Sequence, residues 1–389
     1  MWIYLLIFAI PVLFFYVQAK KQNQVVFLAC YLVFLALFVG MSDMFGGYDR
    51  YIYGEAFDAI ADTTSAHGRY WANGDFGYFP SEKGYTVLNI LISYFTANRY
   101  IFILIITFII YSLLFVSLKK YASNYPFALI LFMGLWFYFT FTYLRQVLGA
   151  TIVWLSIDFI VRRKFWKFLL VILIAMSIHK SAIIFSPVYF VPIKKFPLRQ
   201  VILVMAGVLL VGMSSIPNSL FAAYGDMSSV EMQRYYSASG GFRIEYALEA
   251  FFFLYLILSR YRLIKDDKQS IVMLNFALLF CATLLFFIRS DNGGRLSWYY
   301  MIGVIVTISQ LVTTGVNKKE LSILLIVMCL FLNVRVYNSW QIFLNLYPYK
   351  TFLSNGFRKG DYSYINYEYD ETYTINKLYR TPFRFEINL

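Results

Sequence analysis

Twelve apolar runs of bilayer-spanning length, or slightly less, divide this chain: 2–18, 25–42, 100–118, 126–143, 146–161, 165–178, 180–193, 199–213, 243–259, 269–288, 296–314 and 319–334. A transmembrane helix needs about 20 predominantly apolar residues. The pattern therefore predicts an all-α, polytopic integral membrane protein with about 12 transmembrane helices. Composition agrees, since 60% of residues are hydrophobic and 14% charged, with a mean hydropathy of +0.62, well above the balance of soluble domains. The run 84–97 is shorter and opens at Glu82, Lys83 and Gly84. Such a length suits a short re-entrant or interfacial helix better than a full span. A bundle of this kind uses the whole of 1–389 as one membrane domain.

The net charge of +13 raises the question of nucleic acid, but Lys and Arg stand in short clusters between apolar runs rather than along one basic face. That is a topology signal, because Lys and Arg concentrate in cytoplasmic loops. With 84–97 taken as non-spanning, the basic loops all fall on one side. They carry Lys20 and Lys21, Lys119 and Lys120, Arg162 to Lys167, Lys194 to Arg199, Arg260 to Lys268, and Lys318 and Lys319. Both termini then lie outside, as do the loop 43–99 with its short helix, the loop 214–242 and the tail 335–389. The apolar start has no basic region before it and is followed by Lys20 and Lys21, which reads as a retained span. Cys30, Cys281 and Cys329 each lie inside an apolar run and read as small buried side chains.

Short external segments should be poor in Lys and Arg, yet these carry Arg145, Lys180, Arg289 and Arg295. A guanidinium near the membrane face is costly unless it meets an anion, so a phosphate-bearing partner explains the group. Pairing with a local carboxylate such as Asp291 or Glu245 is the alternative. Arg289 and Arg295 bracket a Gly-Gly turn and could clamp a diphosphate from two sides. The first external loop sets Asp43, Asp49, Glu55 and Glu82 among glycines and tyrosines. Carboxylates bind sugar hydroxyls and aromatic faces take sugar C–H groups, which makes Tyr48, Tyr51, Tyr53 and Tyr85, with Tyr349 of the tail, candidate sugar contacts. A plain interfacial aromatic belt would use the same residues. His179 stands at an outer helix end, where it can act as a base or donate to an anion.

These residues resemble the EpsG-like family of bacterial membrane proteins, which belongs with the Wzy-type polymerases of O-antigen, capsule and exopolysaccharide synthesis. The resemblance runs through Asp49-Arg50-Tyr51-Ile52-Tyr53, Glu82-Lys83-Gly84-Tyr85, Leu144-Arg145-Gln146, Arg162-Arg163-Lys164 and Ile178-His179-Lys180-Ser181-Ala182, with Arg295 and Tyr347-Pro348-Tyr349-Lys350 as looser echoes. The stretch 61–80, with Asp62, His67, Asp75 and Phe79, matches no element of it. The resemblance implies transfer of a growing glycan from a polyprenyl (undecaprenyl) diphosphate carrier to a lipid-linked repeat unit, on the outer face of the bacterial cytoplasmic (inner) membrane. His179, Asp49 or Glu82 would be the base, and Arg145, Arg289, Arg295 and Lys180 would hold diphosphate. Implied partners are the lipid-linked oligosaccharide as donor and acceptor, membrane lipids and a chain-length regulator protein, with no nucleic acid. No cofactor is called for and no metal-ligand spacing is visible, so metal independence is expected, with arginine in place of a divalent ion.

Three rival readings remain at this level. A transferase using polyprenyl monophosphate sugars would add single sugars with Asp43 or Asp49 as base. A transporter or flippase of lipid-linked sugars would place ionisable groups near the bilayer midplane, where this chain has chiefly Asp158 and Glu249. A membrane acyltransferase could be built around His179.

Overall fold

The computed structural model describes residues 1–17, 21–43, 48–217, 219–220, 241–290, 293–314, 317–341, 346, 349–354 and 371–384. Among them every regular element is helical, with no strand. The order is α1 (Trp2–Val17), α2 (Lys21–Gly40), α3 (Tyr48–Ser65), α4 (Lys83–Ser93), α5 (Arg99–Tyr121), α6 (Tyr125–Leu135), α7 (Phe139–Thr142), α8 (Leu144–Trp154), α9 (Ile157–Val161) and α10 (Phe165–Ile178). A long 3-10 helix, Lys180–Phe190, leads to α11 (Leu198–Met213), α12 (Ile244–Ser259) and α13 (Lys268–Phe286). Another 3-10 stretch, Gly293–Tyr300, runs into α14 (Met301–Leu311), and α15 (Lys318–Gln341) and α16 (Glu371–Ile375) follow.

Among the described residues each of the twelve apolar runs lies mainly on helix, and five helical stretches are long and apolar enough to cross a membrane: Asn23–Gly40, Arg99–Tyr121, Leu144–Val161, Lys268–Phe286 and Lys318–Ser339. Trp2–Val17, Tyr125–Leu135, Phe165–Ile178 and Leu198–Met213 are apolar but shorter. Four of the expected spans differ in form. The run 126–143 is split by a turn between α6 and α7 and 146–161 by one between α8 and α9, while 180–193 winds mainly as 3-10 helix and 296–314 begins as one.

Helix starts follow their capping residues, because a side-chain oxygen satisfies backbone donors that the first turn leaves open. Asn98 accepts from Tyr100 and Ile101 at the head of α5, Asn124 from Phe127 at the head of α6, and Asp267 from Ser270 at the head of α13. Lys119 and Lys120 close α5, where cations complement the carbonyl end of the dipole.

The segment 43–99 is more ordered than a loop with one short helix. Residues 48–65 form α3, which the polar composition hides, and its Tyr51, Tyr53, Phe57 and Ala61 are buried. Arg50 is fully buried and donates to the carbonyls of Val39 and Ser42 and to the Ser42 hydroxyl. It thereby satisfies an open carbonyl at the end of α2. At the other end of α3, His67 takes a left-handed φ of 51°, its N–H donates to Thr64 O, and Gly68 N–H donates to Thr63 O. That pair of bonds is a Schellman stop with histidine where glycine is usual, so His67 serves the helix end.

The tail is built into the same end of the molecule. Ser42 bridges Thr351, Asp43 N donates to Lys350 O, Ala97 N to Thr381 O and Arg384 N to Phe95 O. Lys377 meets Asp43 at 3.5 Å with both side chains almost wholly buried. Asp58 takes Arg99 at 2.5 Å and the Tyr373 hydroxyl at 3.0 Å, and Arg380 pairs with Asp62 at 2.6 Å. At the opposite end of α5, Lys120 and Arg162 share Asp158, Arg163 donates to the Val191 carbonyl, and Lys195 donates to Ile264 O. Four of the basic loops are thus gathered at one end of the bundle, away from 43–99 and the tail. Of the expected loop 214–242, residues 221–240 lie outside the described residues, as do Tyr347 and Pro348.

Candidate active site

Gly84 explains how Glu82 reaches its partners. A Cβ there would stand 2.7 Å from Ser177 Cβ and 3.0 Å from its carbonyl oxygen, so the start of α4 can lie against the end of α10 only without a side chain. Glu82 then meets the residue that ends α10. His179 Nδ1 lies 2.5 Å from Glu82 Oε1, and the Lys180 N–H donates to the same oxygen at 3.0 Å. The other carboxylate oxygen takes the Arg145 guanidinium, from the first turn of α8. One turn on, a Cβ added at Gly149 would stand 3.4 Å from His179 Cβ, so α8 lies against both arms.

Rings close around Arg145, whose Cζ is 4.5 Å from the Phe79 centroid, 5.2 Å from Tyr53 and 5.9 Å from Tyr85. A guanidinium over aromatic faces gains from their quadrupoles, and more so when water is excluded. Tyr53 and Tyr85 are fully buried, as is Tyr51. Their rings are covered by protein instead of open to a sugar, which differs from the expectation for a polar loop. Tyr349 stacks on Phe38 at 4.1 Å and donates to its carbonyl, away from this group. The side chain of Tyr48 lies outside the described residues.

Burial pushes the Glu82 carboxyl up, but the hydrogen bond and charge of His179, the Arg145 charge and the Lys180 amide outweigh it, and hold it at about 2. Glu82 is therefore an ionised acceptor and a weak base. A carboxylate only accepts, so Nδ1 of His179 carries the proton and Nε2 is left as the basic nitrogen. His179 is 24% exposed against 8% for Glu82. Asp49 behaves differently. Burial raises its carboxyl, and the charges of Arg295, Arg145 and His179 pull against that without cancelling it.

Arg295 belongs to the same neighbourhood. Its carbonyl accepts from Gln146 at 2.9 Å, and its guanidinium lies 4.9 Å from the Tyr143 ring. Ser181 and Tyr299 exchange a hydroxyl bond of 2.7 Å beside it. Arg289 donates to Met213 O at the end of α11, whereas the Arg295 guanidinium lies over Tyr143. The alternative of pairing with a local carboxylate holds for Arg145, whose partner is Glu82, while Glu245 takes Arg335. Asp291 lies outside the described residues.

Sequence reading gave no role to Phe79 and Tyr143, whose rings lie against Arg145 and Arg295, to Gln146, which bonds the Arg295 carbonyl, or to the acids Asp58 and Asp62 that anchor the tail. Phe79 carried a weak signal, three residues before Glu82. Among the described residues no group of three or more His, Cys, Asp or Glu side chains is arranged to hold a metal ion.

The fold and this centre define a helical membrane protein whose buried carboxylate joins a histidine to an arginine at one end of the bundle. The chain belongs to the EpsG family, whose model matches residues 25–351. It is accordingly a polysaccharide-polymerase-type membrane protein, of a family associated with glycosyltransferase-like polymerase activity. No curated protein and no solved structure matches it. The matched region includes Asp49, Glu82, Arg145, His179 and Arg295, while 371–384 lies beyond it.

Proposed function

We propose that the chain is a repeat-unit polymerase that moves a glycan from a polyprenyl diphosphate carrier to a lipid-linked acceptor, on the outer face of a bacterial cytoplasmic membrane that it crosses about twelve times. The observation that carries this reading is the Glu82 carboxylate bonded to both His179 and Arg145. In it, Glu82 orients His179 and supports the cation that forms, as a carboxylate does behind any histidine base. Nε2 removes the proton of the acceptor hydroxyl, whose oxygen forms a bond to the anomeric carbon of the donor. The bond from that carbon to the diphosphate breaks, and the polyprenyl diphosphate leaves as an anion stabilised by Arg295 and Lys180.

Arg145 is given a different part from the one its sequence position implied. Its guanidinium bonds Glu82 and lies over Tyr53, so it fixes the carboxylate and the field of the site. Asp49, facing Arg295 and His179, is assigned to the acceptor sugar. The lipid-linked oligosaccharide is both donor and acceptor, and a chain-length regulator is a further proposed partner.

The test is polymer formation by purified protein on lipid-linked repeat units with a chelator present. A ladder of products spaced by whole repeat units supports the reading. Addition of single sugars points to a polyprenyl-phosphate-sugar transferase, and movement of the lipid across vesicles without new glycosidic bonds points to a flippase. Either overturns it.

A further inference from the structure

Beside the site lies a partly open cavity of about 480 Å³ with an almost wholly apolar lining. That size lies within the range of cavities that enclose most of a ligand. Its walls come from the two long 3-10 helices and from α13, with Val208 of α11 and Leu220 at its side. In a 3-10 helix residues three apart eclipse one another, so Ser181, Ile184 and Pro187 form one straight row down Lys180–Phe190. Eleven residues at about 2.0 Å each extend roughly 22 Å. Leu279, Ala282 and Phe286 of α13 face that row at helical spacing, and Leu296 and Tyr300 close it from the other 3-10 stretch. Runs of 3-10 helix longer than three or four residues are uncommon, and here two of them line one cavity.

The lining is continuous with the charged centre through the backbone. Ser181 is two residues from His179, and Leu296 follows Arg295. The Ser181–Tyr299 hydroxyl pair stands at the junction between the polar and apolar parts. A molecule whose phosphates rest on Arg295 and Lys180 and whose remainder is hydrocarbon fits this order of surfaces.

We infer that this cavity is the track for the isoprenoid chain of the polyprenyl diphosphate, with the 3-10 row of Ser181, Ile184 and Pro187 as its floor. The inference rests on the proposed use of a polyprenyl-linked substrate. Burial of such a chain is non-directional and scales with apolar area, so the track selects by length and girth, whatever sugars the lipid carries.

A photoreactive benzoylphenylalanine placed at Ile184, at Leu279 and, as control, at the exposed Leu210 of α11 tests it by binding alone. With undecaprenyl diphosphate as the probe, cross-linking at Ile184 and Leu279 should saturate and be competed by excess unlabelled undecaprenyl diphosphate but not by phosphatidylglycerol. Leu210 should show no saturation. Equal competition by phosphatidylglycerol, or no saturable cross-link, overturns the inference in favour of an ordinary lipid contact. In turnover, Ala282→Phe narrows the track and should lower the preference for a 55-carbon over a 10-carbon carrier at least tenfold. An unchanged preference overturns it. If the wild type makes no polymer, the proposed function fails, while the cross-linking still reports on the track.

Discussion

His179 and Glu82 are joined, Nδ1 to Oε1 at 2.5 Å, across 97 residues of chain. The bond fixes the tautomer of the ring and leaves Nε2 as its reactive face. His179→Ala should therefore lower turnover on the order of a hundredfold or more, the usual scale for losing a general base, with the protein still folded. His179→Gln should not rescue it. Glu82→Gln keeps a hydrogen-bond partner and removes the charge, so it should lower kcat more than it changes KM. Near-normal turnover by His179→Ala in purified material would move the base to Asp49.

The acid side of the stability profile follows from Glu82. Its carboxyl is held at about 2, below its ordinary 4.5. A group with a depressed value stabilises the fold fully above its unfolded value, and that contribution falls away as the pH drops through the folded one. The contribution of Glu82 should thus be constant from neutral pH to about 5 and shrink between about 4.5 and 2. Thermal unfolding in detergent of the wild type and Glu82→Gln should show a gap between the two that narrows over that window. A gap that narrows between pH 7 and 5 would contradict the assignment.

Arginine chemistry separates three positions that sequence placed together. Arg145 is boxed by Phe79, Tyr53 and Tyr85 and bound to Glu82, so Arg145→Lys loses the planar fork and the ring contacts. Turnover should fall at least tenfold, with lower thermal stability. Arg295→Lys should act mainly on KM for the lipid-linked donor. Arg289→Lys should stay within about twofold of wild type, because Arg289 bonds only a helix-end carbonyl in the described contacts. Equal losses at all three positions would restore the clamp model.

The buried pair Lys377–Asp43 predicts a stabilising tail. Lys377→Met should cost about 3 kcal/mol, the low end for breaking a buried ion pair, because Arg50 still acts on Asp43. Adding Asp43→Asn should recover much of it. Denaturant unfolding of the single and double variants measures the coupling, and additive losses would show that the two residues do not depend on each other.

Sidedness is open to direct labelling. Ser65 and Lys164 are both exposed and stand at opposite ends of the bundle. With the native cysteines replaced, a cysteine at Ser65 should react with a membrane-impermeant reagent from outside and one at Lys164 should not. The reverse result would invert the site.

Hydropathy made the helical bundle legible, since among the described residues every apolar run lies mainly on helix. The ends of those runs also pointed to Arg145 and His179. What stayed hidden depends on distant partners. α3 carries Asp49, Glu55, Asp58 and Asp62 and reads as polar, because the residues that neutralise Asp58 and Asp62 are Arg99, Tyr373 and Arg380. Glu82 reads as a possible base in the sequence, because nothing near it in the chain marks Arg145 and His179 as the partners of its two oxygens. Arg289 and Arg295 sit six apart, yet the 3-10 stretch from Gly293 turns Arg295 toward Tyr143 while Arg289 stays with α11.

The clasp between the tail and α3 also sets an order of assembly. Tyr373 and Asp58 are 315 residues apart, so a ribosome has threaded almost the whole bundle before that contact can close. Loop length adds little to the thermodynamic cost, but domains form as they emerge. During synthesis α3, which carries Asp49 and Tyr53, therefore emerges long before Tyr373 and Arg380 are there to hold it. A chain cut before residue 371 should keep Glu82, Arg145, His179 and Arg295 and still lose the contacts of Tyr373 and Arg380 that hold α3 in place.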